Sequence, residues 1–340
     1  VIWLINYVYQ LVTPGNFSVK YEDIDFGKGV IVRPSYMAIC HADQRYYLGK
    51  RDVRKLRSKL PMALIHEAVG EVVHDSSGKF SRGQKVVMIP NVPGIPSKTI
   101  YENYQKGSKF MSSGIDGFMR ELVSMPSDRV VPFENVSPEV AAICEFISVG
   151  VHSSRRFEAI SHDVKETIGI WGDGSLGFVM ALILKTKFPK TKIAVIGRDA
   201  FKLSQFSFVD EIHLAEDIPD GFWVDHAFEC AGGNGSYYAI KDIIKYINPQ
   251  GSVMLMGVSE NEVPINTRDV LEKGLTLVGS SRSGKSDFEE AVRLLEIPEF
   301  QSKIRRIIFE ESPVNSIEDI HRVFKSDLNT SFKTVFKWNL

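Results

Sequence analysis

Cysteine is scarce in this chain of 340 residues: Cys40, Cys144 and Cys230 are the only three, and no two form a CxxC pair. That excludes a disulfide scaffold and a four-cysteine structural zinc loop, and it fits a reducing compartment. Charge of one sign is lacking as well. Lys and Arg number 41 against 42 for Asp and Glu, a formal net charge of -1. A protein held to nucleic acid by an overall basic surface is thereby excluded. No apolar run reaches the roughly 20 residues of a membrane span. The opening VIWLINYVYQLV has no basic stretch and no small-residue cleavage site, so it reads as a first strand over Tyr7–Val12 after an extended start, rather than as a leader. A composition of 44% hydrophobic and 24% charged residues is that of a globular enzyme. At this length about three quarters of the unfolded surface is buried, enough for two domains.

The first 150 residues read as β-rich. Short apolar or alternating segments at Phe17–Tyr21, Gly29–Met37, Ala68–His74, Gln84–Ile89, Phe118–Val123 and Arg129–Val131 are separated by polar turns such as DSSG at 75–78. Asn91–Gly114, with two prolines and three glycines, has no periodicity and reads as a long surface excursion. From Lys165 the rhythm changes. Apolar strands at TIGIWG, KIAVIG, Glu211–Leu214, VDHAFECAG, GSVMLMG and LTLVGSS alternate with helical segments at Leu176–Lys187 and Ser236–Ile247. Such alternation predicts a parallel sheet covered on both faces. The tail adds a helix from about Phe288 and a strand at KTVFKW, 333–338. We therefore expect a doubly wound domain over 151–288, inserted between the two pieces, 1–150 and 289–340, of a β-rich domain.

Gly172-Asp173-Gly174-Ser175-Leu176-Gly177 is a GxGxxG run directly after an apolar strand and opening a helix. Gly172 permits the tight turn, Gly174 lets a pyrophosphate approach the backbone, and Gly177 allows close helix–strand packing. Ser175 and Leu176 open a helix whose N–H groups face the phosphates. A site for NAD places Asp or Glu at the end of the second strand. Here Gly197 stands there, followed by Arg198 and Lys202, an arrangement suited to the 2′-phosphate of NADP(H). Asp199 either points outward or serves the ribose hydroxyl.

Cys40, the pair His66-Glu67 and the distant Glu145 each have an ordinary reading: a small core residue, or a surface ion pair. Together they offer a thiolate, an imidazole and two carboxylates, a plausible catalytic zinc set. The segments CHADQRYY (40–47), LPMALIHEAVGEVV (60–73), GIWGDGSLG (169–177), DHAFECAGG (225–233) and VLEKGLTLVGSSRSG (270–284) resemble, over essentially the whole chain, the zinc-dependent medium-chain dehydrogenase/reductase superfamily. Within it they are similar to the ribulose-5-phosphate reductases that make D-ribitol 5-phosphate for teichoic acid or capsule.

The resemblance implies an α/β two-domain enzyme: a GroES-like β-rich catalytic domain and a Rossmann domain with a doubly wound parallel sheet. It implies NADPH and one catalytic zinc per chain, with Cys40, His66, Glu67 and Glu145 as metal ligands. Glu67 is either a direct ligand or one shell removed, and Glu145 stands where many alcohol dehydrogenases have a cysteine. Asp43 matches the acid that orients the zinc-bound histidine. His41 falls near the cofactor pyrophosphate, and Arg282 near nicotinamide and substrate. Val258 and Ser281 are assigned with them to the cofactor. For the substrate phosphate the candidates are Arg282 and Arg45, then Lys285. Tyr46 and Tyr47 either line a sugar pocket or pack.

Ala42 departs from the superfamily, which carries Ser or Thr there to relay a proton. The four-cysteine zinc loop is missing too, so Asn91–Gly114 is expected to be held by packing. The resemblance further implies a cytoplasmic homodimer joined through the 251–281 region and functional association with a ribitol-5-phosphate cytidylyltransferase, with no nucleic-acid or membrane partner. The competing readings are a zinc polyol dehydrogenase for an unphosphorylated sugar alcohol such as sorbitol or xylitol, a metal-free quinone oxidoreductase-like reductase, and a non-catalytic nucleotide sensor.

Overall fold

The computed structural model of the protein describes residues 3–340. Two compact units emerge, one of residues 1–148 and 283–340, the other of 149–282. Residues 283–288, assigned from sequence to the nucleotide-binding unit, belong instead to the first. The helix Lys285–Leu295 begins there, and its first backbone N–H donates to Glu102 Oε1 at 2.7 Å.

The first unit is built on a sheet in the order Val130–Pro132, Lys85–Met88, Glu67–Asp75, Val30–Ala38, Lys333–Trp338, Ile308–Val314, with Val123–Met125 beside Val30–Ala38. All pairs are antiparallel except the last two strands, which run parallel. Trp3–Thr13, Asn16–Asp25 and Met62–Ala63 form a second, three-stranded sheet. Val30, Val32, Met37, Leu64, Ile65, Phe118, Phe324 and Phe336 share the core. The first strand is longer than Tyr7–Val12; of the extended start expected ahead of it, residues 1 and 2 lie outside the described residues.

The segment Phe118–Val123 is not the continuous strand its alternation predicts. The regular strand is Val123–Met125. Before it the backbone bonds irregularly, Phe118 N to Ile65 O at 2.8 Å and Glu121 N to Tyr7 O at 2.9 Å. The chain changes partners every few residues, so no ladder forms. The periodicity also missed the short helices His41–Tyr47 and Val53–Lys59, which are too short to show a helical repeat.

The excursion at 91–114 is fastened by polar ties. Arg129, buried under it, makes two bonds to Glu102, Nη1 to Oε1 at 2.7 Å and Nη2 to Oε2 at 3.4 Å. A short ladder pairs Asn91–Val92 with Lys109–Phe110.

The second unit holds six parallel strands in the order Glu211–Leu214, Lys192–Gly197, Thr167–Trp171, His226–Glu229, Ser252–Leu255, Thr276–Gly279. The order reverses between Thr167–Trp171 and His226–Glu229. In such sheets the ligand crevice opens at that point, beyond the carboxyl ends of the strands. Ile168, Ile170, Ile193, Val195 and Phe228 are buried, as a sheet covered on both faces requires. The helix Ser175–Lys187 is buried from Gly177 to Leu184. No helix among the described residues is long and apolar enough to cross a membrane.

His226 is fully buried in this unit. Its Nδ1 accepts the Ser252 N–H at 3.1 Å, and its Nε2 lies 3.1 Å from the Val164 carbonyl. Only the neutral ring, protonated on Nε2, satisfies both. Burial, with the neighbouring charges of His162 and Lys165, pushes its pKa down to about 4. The unfolded chain then takes up this proton first. The stability is complete above about pH 6.5 and is lost as pH falls toward 4. From pH 7 to pH 5 this group should remove about 1–2 kcal/mol of unfolding free energy. Urea titrations at the two pH values should show it, and His226→Gln should flatten the difference.

Candidate active site

In the first unit, Cys40 stands between the strand Val30–Ala38 and the helix His41–Tyr47, at the helix N-cap. His66 immediately precedes the strand Glu67–Asp75. The turn that delivers it has Ile65 at φ 67°, a conformation rare for a β-branched residue. It is held by three bonds: Ile65 N to Asp43 Oδ1 at 3.1 Å, Phe118 N to Ile65 O at 2.8 Å, and Met119 N to Leu64 O at 3.3 Å. The ligand-capable atoms of Cys40, His66 and Glu67 all lie within 4.8 Å of one another. His66 and Glu67 are buried, Cys40 half-buried.

Asp43 is fully buried beneath them. Its Oδ2 lies 3.4 Å from His66 Nδ1 and accepts the Cys40 N–H at 3.3 Å. Burial pushes its pKa up, but His66, Ser112 and the Ile65 N–H together bring it below the ordinary value. His66 shows the converse. Burial lowers its pKa, and the negative charges of Asp43 and Cys40 more than reverse this, so the ring sits well above the usual range. The pocket is one that stabilises positive charge on the imidazole.

Glu67 Oε1 accepts a bond from Lys333 Nζ at 2.6 Å, and the same ammonium reaches the Ile39 carbonyl at 2.9 Å. Lys333 is buried, which lowers its pKa, but its pair with Glu67 prevails and keeps it protonated. Glu67 Oε2 is buried without any hydrogen-bond partner. A buried orphan carboxylate oxygen beside a thiol and an imidazole suits a metal ligand. Glu145, in the first turn of the helix Cys144–Ile160, does not join the group of mutually close atoms. It is buried nearby in the electrostatic sense. Burial, with the charges of Glu67 and Asp43, raises its pKa to about 7 against the opposing pull of His66 and Lys333.

Tyr47 packs. Its ring stacks on Phe324 at 4.7 Å, and its hydroxyl meets His321 Nδ1 at 2.9 Å. Tyr46 is buried under the Arg51 guanidinium, 4.1 Å from the ring centre. Arg45 is half-buried in the last turn of the same helix, and His41 is exposed at its start. Lys285 pairs with Glu289 at 3.5 Å.

In the second unit a cleft of about 760 Å³ opens at the carboxyl ends of the strands, lined by Gly172, Gly174, Gly197, Arg198, Lys202 and Cys230 among others. A Cβ on Gly177 would stand 1.9 Å from the Gly172 carbonyl oxygen, so the helix Ser175–Lys187 can start this close to the strand only with glycine there. A Cβ on Gly197 would meet the Asp173 side chain at 2.5 Å. Asp173 reaches across to accept the Arg198 and Asp199 N–H groups on Oδ2, at 2.6 and 2.8 Å. Asp199 is turned away to cap the helix Ala200–Leu203, accepting from Phe201 N and Lys202 N. Its two sequence readings thus resolve toward a structural role. Val258 accepts the Gly233 N–H at 2.9 Å. Neither it nor Ser281 lines the cleft. Arg282 is half-buried in the left-handed region, φ 58°, beyond the strand Thr276–Gly279.

Sequence reasoning missed three residues. Lys333 lies 266 positions from Glu67, and no local pattern marks it. Asp173 occupies a variable position of the glycine run. Glu229 is buried, and its carboxylate accepts from Ala231 N, Gly232 N, Ser236 Oγ and Gly257 N at 2.8–3.1 Å. It sets the wall of the cleft at Cys230 and Ala231. A lone carboxylate ending an apolar strand before Gly232-Gly233 was the available signal.

Two families match the chain: Alcohol dehydrogenase GroES-like domain over residues 27–135, and Zinc-binding dehydrogenase over 202–296. A ribulose-5-phosphate reductase of Streptococcus pneumoniae is 53% identical over 99% of this chain and 98% of its own. Ribulose-5-phosphate reductase 2 of Staphylococcus aureus is 50% identical over 99% and 100%. The crystal structure of S. aureus TarJ in complex with NADPH superimposes with a TM-score of 0.88 at 46% identity, covering 99% of this chain and 100% of that one. With identity at this level running from end to end, the chain belongs to the ribulose-5-phosphate reductases, among the zinc-binding dehydrogenases.

Proposed function

We propose that the chain reduces D-ribulose 5-phosphate to D-ribitol 5-phosphate with NADPH, using one zinc held by Cys40, His66 and Glu67, with Glu145, outside that close group, as a further ligand directly or through water. The observation that carries this, in a chain of that family, is the close group of thiol, imidazole and carboxylate with the orphan Glu67 Oε2. When bound, zinc supplies a Lewis acid to the C2 carbonyl and NADPH supplies the hydride. The chain's own part is placement. Asp43 fixes the His66 ring, and Lys333 neutralises one oxygen of Glu67, leaving the other to the metal. C2 gains a hydride and its oxygen a proton, while NADPH becomes NADP+. Ala42 has no hydroxyl, so that proton comes through water, a substrate hydroxyl or a carboxylate. Arg282 and Arg45 are assigned to the substrate phosphate, which two guanidinium groups suit. The cytoplasm, a homodimer joined through the 251–281 region, and a cytidylyltransferase that consumes the product for CDP-ribitol and ribitol-phosphate polymers belong to the same reading.

Elemental analysis should find one zinc per chain in the pure protein. Cys40→Ala should lose most of it together with nearly all turnover. Two zincs per chain, or full activity without any, would remove the assignment.

For the cofactor, Arg198→Ser or Lys202→Ser alone should weaken NADPH binding ten- to a hundredfold, roughly 1.5–3 kcal/mol for the one charge-assisted hydrogen bond removed, and leave NADH nearly unchanged. Gly197→Asp, the usual way to convert such a site, should fail because the new side chain collides with Asp173. Titration of cofactor fluorescence measures both. Equal affinity for the two cofactors in the unaltered protein contradicts the reading.

Initial rates with D-ribulose 5-phosphate and D-ribulose, side by side, test the substrate. The phosphorylated ketose should be far better, because a phosphate anchored away from C2 uses binding energy to orient the reacting carbon. Arg282→Ala should lower kcat/KM for it strongly and for free ribulose much less. Equal use of ribulose or sorbitol would favour a general polyol dehydrogenase.

A further inference from the structure

The excursion at 91–114 ends in a tight turn that is aimed at the metal group. Met111 N donates to the Pro90 carbonyl at 3.0 Å, Ser113 N to Phe110 O at 3.1 Å, and Ser112 N to Ile115 O at 3.0 Å. The turn places the Phe110 ring edge-on to His66, centres 5.3 Å apart. It also buries Ser112, whose hydroxyl donates to Asp43 Oδ1 at 2.6 Å. The backbone of Ser112 is left-handed, φ 59°. For the turn alone, Gly would adopt that conformation without penalty. What Gly lacks is the hydroxyl.

We propose that Ser112 is a positioning residue of the metal site, acting through Asp43 on His66. This rests on the reading of Cys40, His66 and Glu67 as the zinc ligands. The argument is one of carboxylate orientation. Asp43 has two oxygens and a cluster of donors around it. Oδ1 is taken by the Ser112 hydroxyl and the Ile65 N–H, which turns Oδ2 toward His66 Nδ1 and the Cys40 N–H. The Ser112 bond, short and made to an ionised acceptor, is the strongest of these. Without it Oδ1 keeps one donor, and the carboxylate is free to rotate about its Cβ–Cγ bond. The His66 ring then loses the carboxylate oxygen held 3.4 Å from its Nδ1. Outer partners of this kind change metal affinity by ten- to a hundredfold. A surface excursion without cysteine thereby becomes part of the support of the proposed zinc site.

Ser112→Gly is the decisive variant, because it removes the hydroxyl and relieves the backbone at once. Ser112→Ala removes the hydroxyl alone. Zinc affinity is measured by competition with a chromogenic chelator, and the ligand field by the visible spectrum of the cobalt-substituted protein. The thermal midpoint of the metal-free protein monitors the fold. Both variants should bind zinc ten- to a hundredfold more weakly with shifted cobalt bands, while metal-free Ser112→Gly melts above metal-free Ser112→Ala, its backbone strain relieved. Wild-type zinc affinity and an unchanged cobalt spectrum in Ser112→Gly would overturn the proposal. So would weaker binding with unshifted cobalt bands, which would make Ser112 a turn residue only. If the unaltered protein and Cys40→Ala hold zinc equally, it is the ligand assignment that fails. If they differ and Ser112→Gly does not, the ligand assignment stands and Ser112 has no part in it.

Discussion

Asp43 is a carboxylate with no exposed surface, and a buried charge persists only where donors replace its lost water. Three groups donate to it, the Cys40 N–H, the Ile65 N–H and the Ser112 hydroxyl, and the His66 ring faces it with Nδ1 3.4 Å from Oδ2. They come from a helix start, a strained turn, the end of an excursion and the edge of a strand. None of these segments is adjacent in sequence to all the others. The requirement that one carboxylate be satisfied is therefore what brings them to one point. Ile65 remains left-handed because its N–H and carbonyl are both engaged. His66, next in line, inherits its direction from that turn. The positions of Cys40 and His66 follow from the solvation of Asp43 as much as from apolar packing.

The second unit obeys the same rule at its sheet ends. Glu229 gathers the N–H groups of Ala231, Gly232 and Gly257, Asp173 those of Arg198 and Asp199, and Asp225 those of Glu166 and Thr167. Loops at these ends have no sheet partners for their amides, which must then pair with a side chain or with water. Carboxylates supply the pairing and set loop shape. One consequence is specific to the cofactor. Asp173 occupies the amides of Arg198 and Asp199, so the proposed hold on a ribose 2′-phosphate is left to the side chains of Arg198 and Lys202, which line the cleft.

The architecture was largely legible because its signals are local. A GxGxxG run after an apolar strand, then apolar strands alternating with helices, marks a doubly wound sheet without knowledge of distant neighbours. Cys40 and His66-Glu67 were legible as a set through chemistry and resemblance. Phe118–Val123 was misread because its alternation is real but its partners change every few residues. Asp199 could not be decided in sequence, since its direction depends on the two residues it caps. Lys333 and Ser112 were out of reach for a plainer reason. Each acts through a single bond to a residue 266 or 69 positions away, and a single bond leaves no periodicity.

The scarcity of cysteine has a structural counterpart. A four-cysteine zinc would fasten an excursion of this length by coordination bonds among its own residues. Here the fastening is made outward. Glu102 binds Arg129, just ahead of the strand Val130–Pro132, and the first N–H of the helix Lys285–Leu295; the side chain of Arg129 is only 6% exposed. Breaking such a pair on one side leaves a buried charge unpartnered, which costs more than the pair itself contributes. Near the end of the excursion Ser112 is bonded to Asp43. An excursion closed on its own metal can move as a body without disturbing its neighbours. One tied at its middle and near its end to other segments cannot, and its order is coupled to the order of the His66 ring.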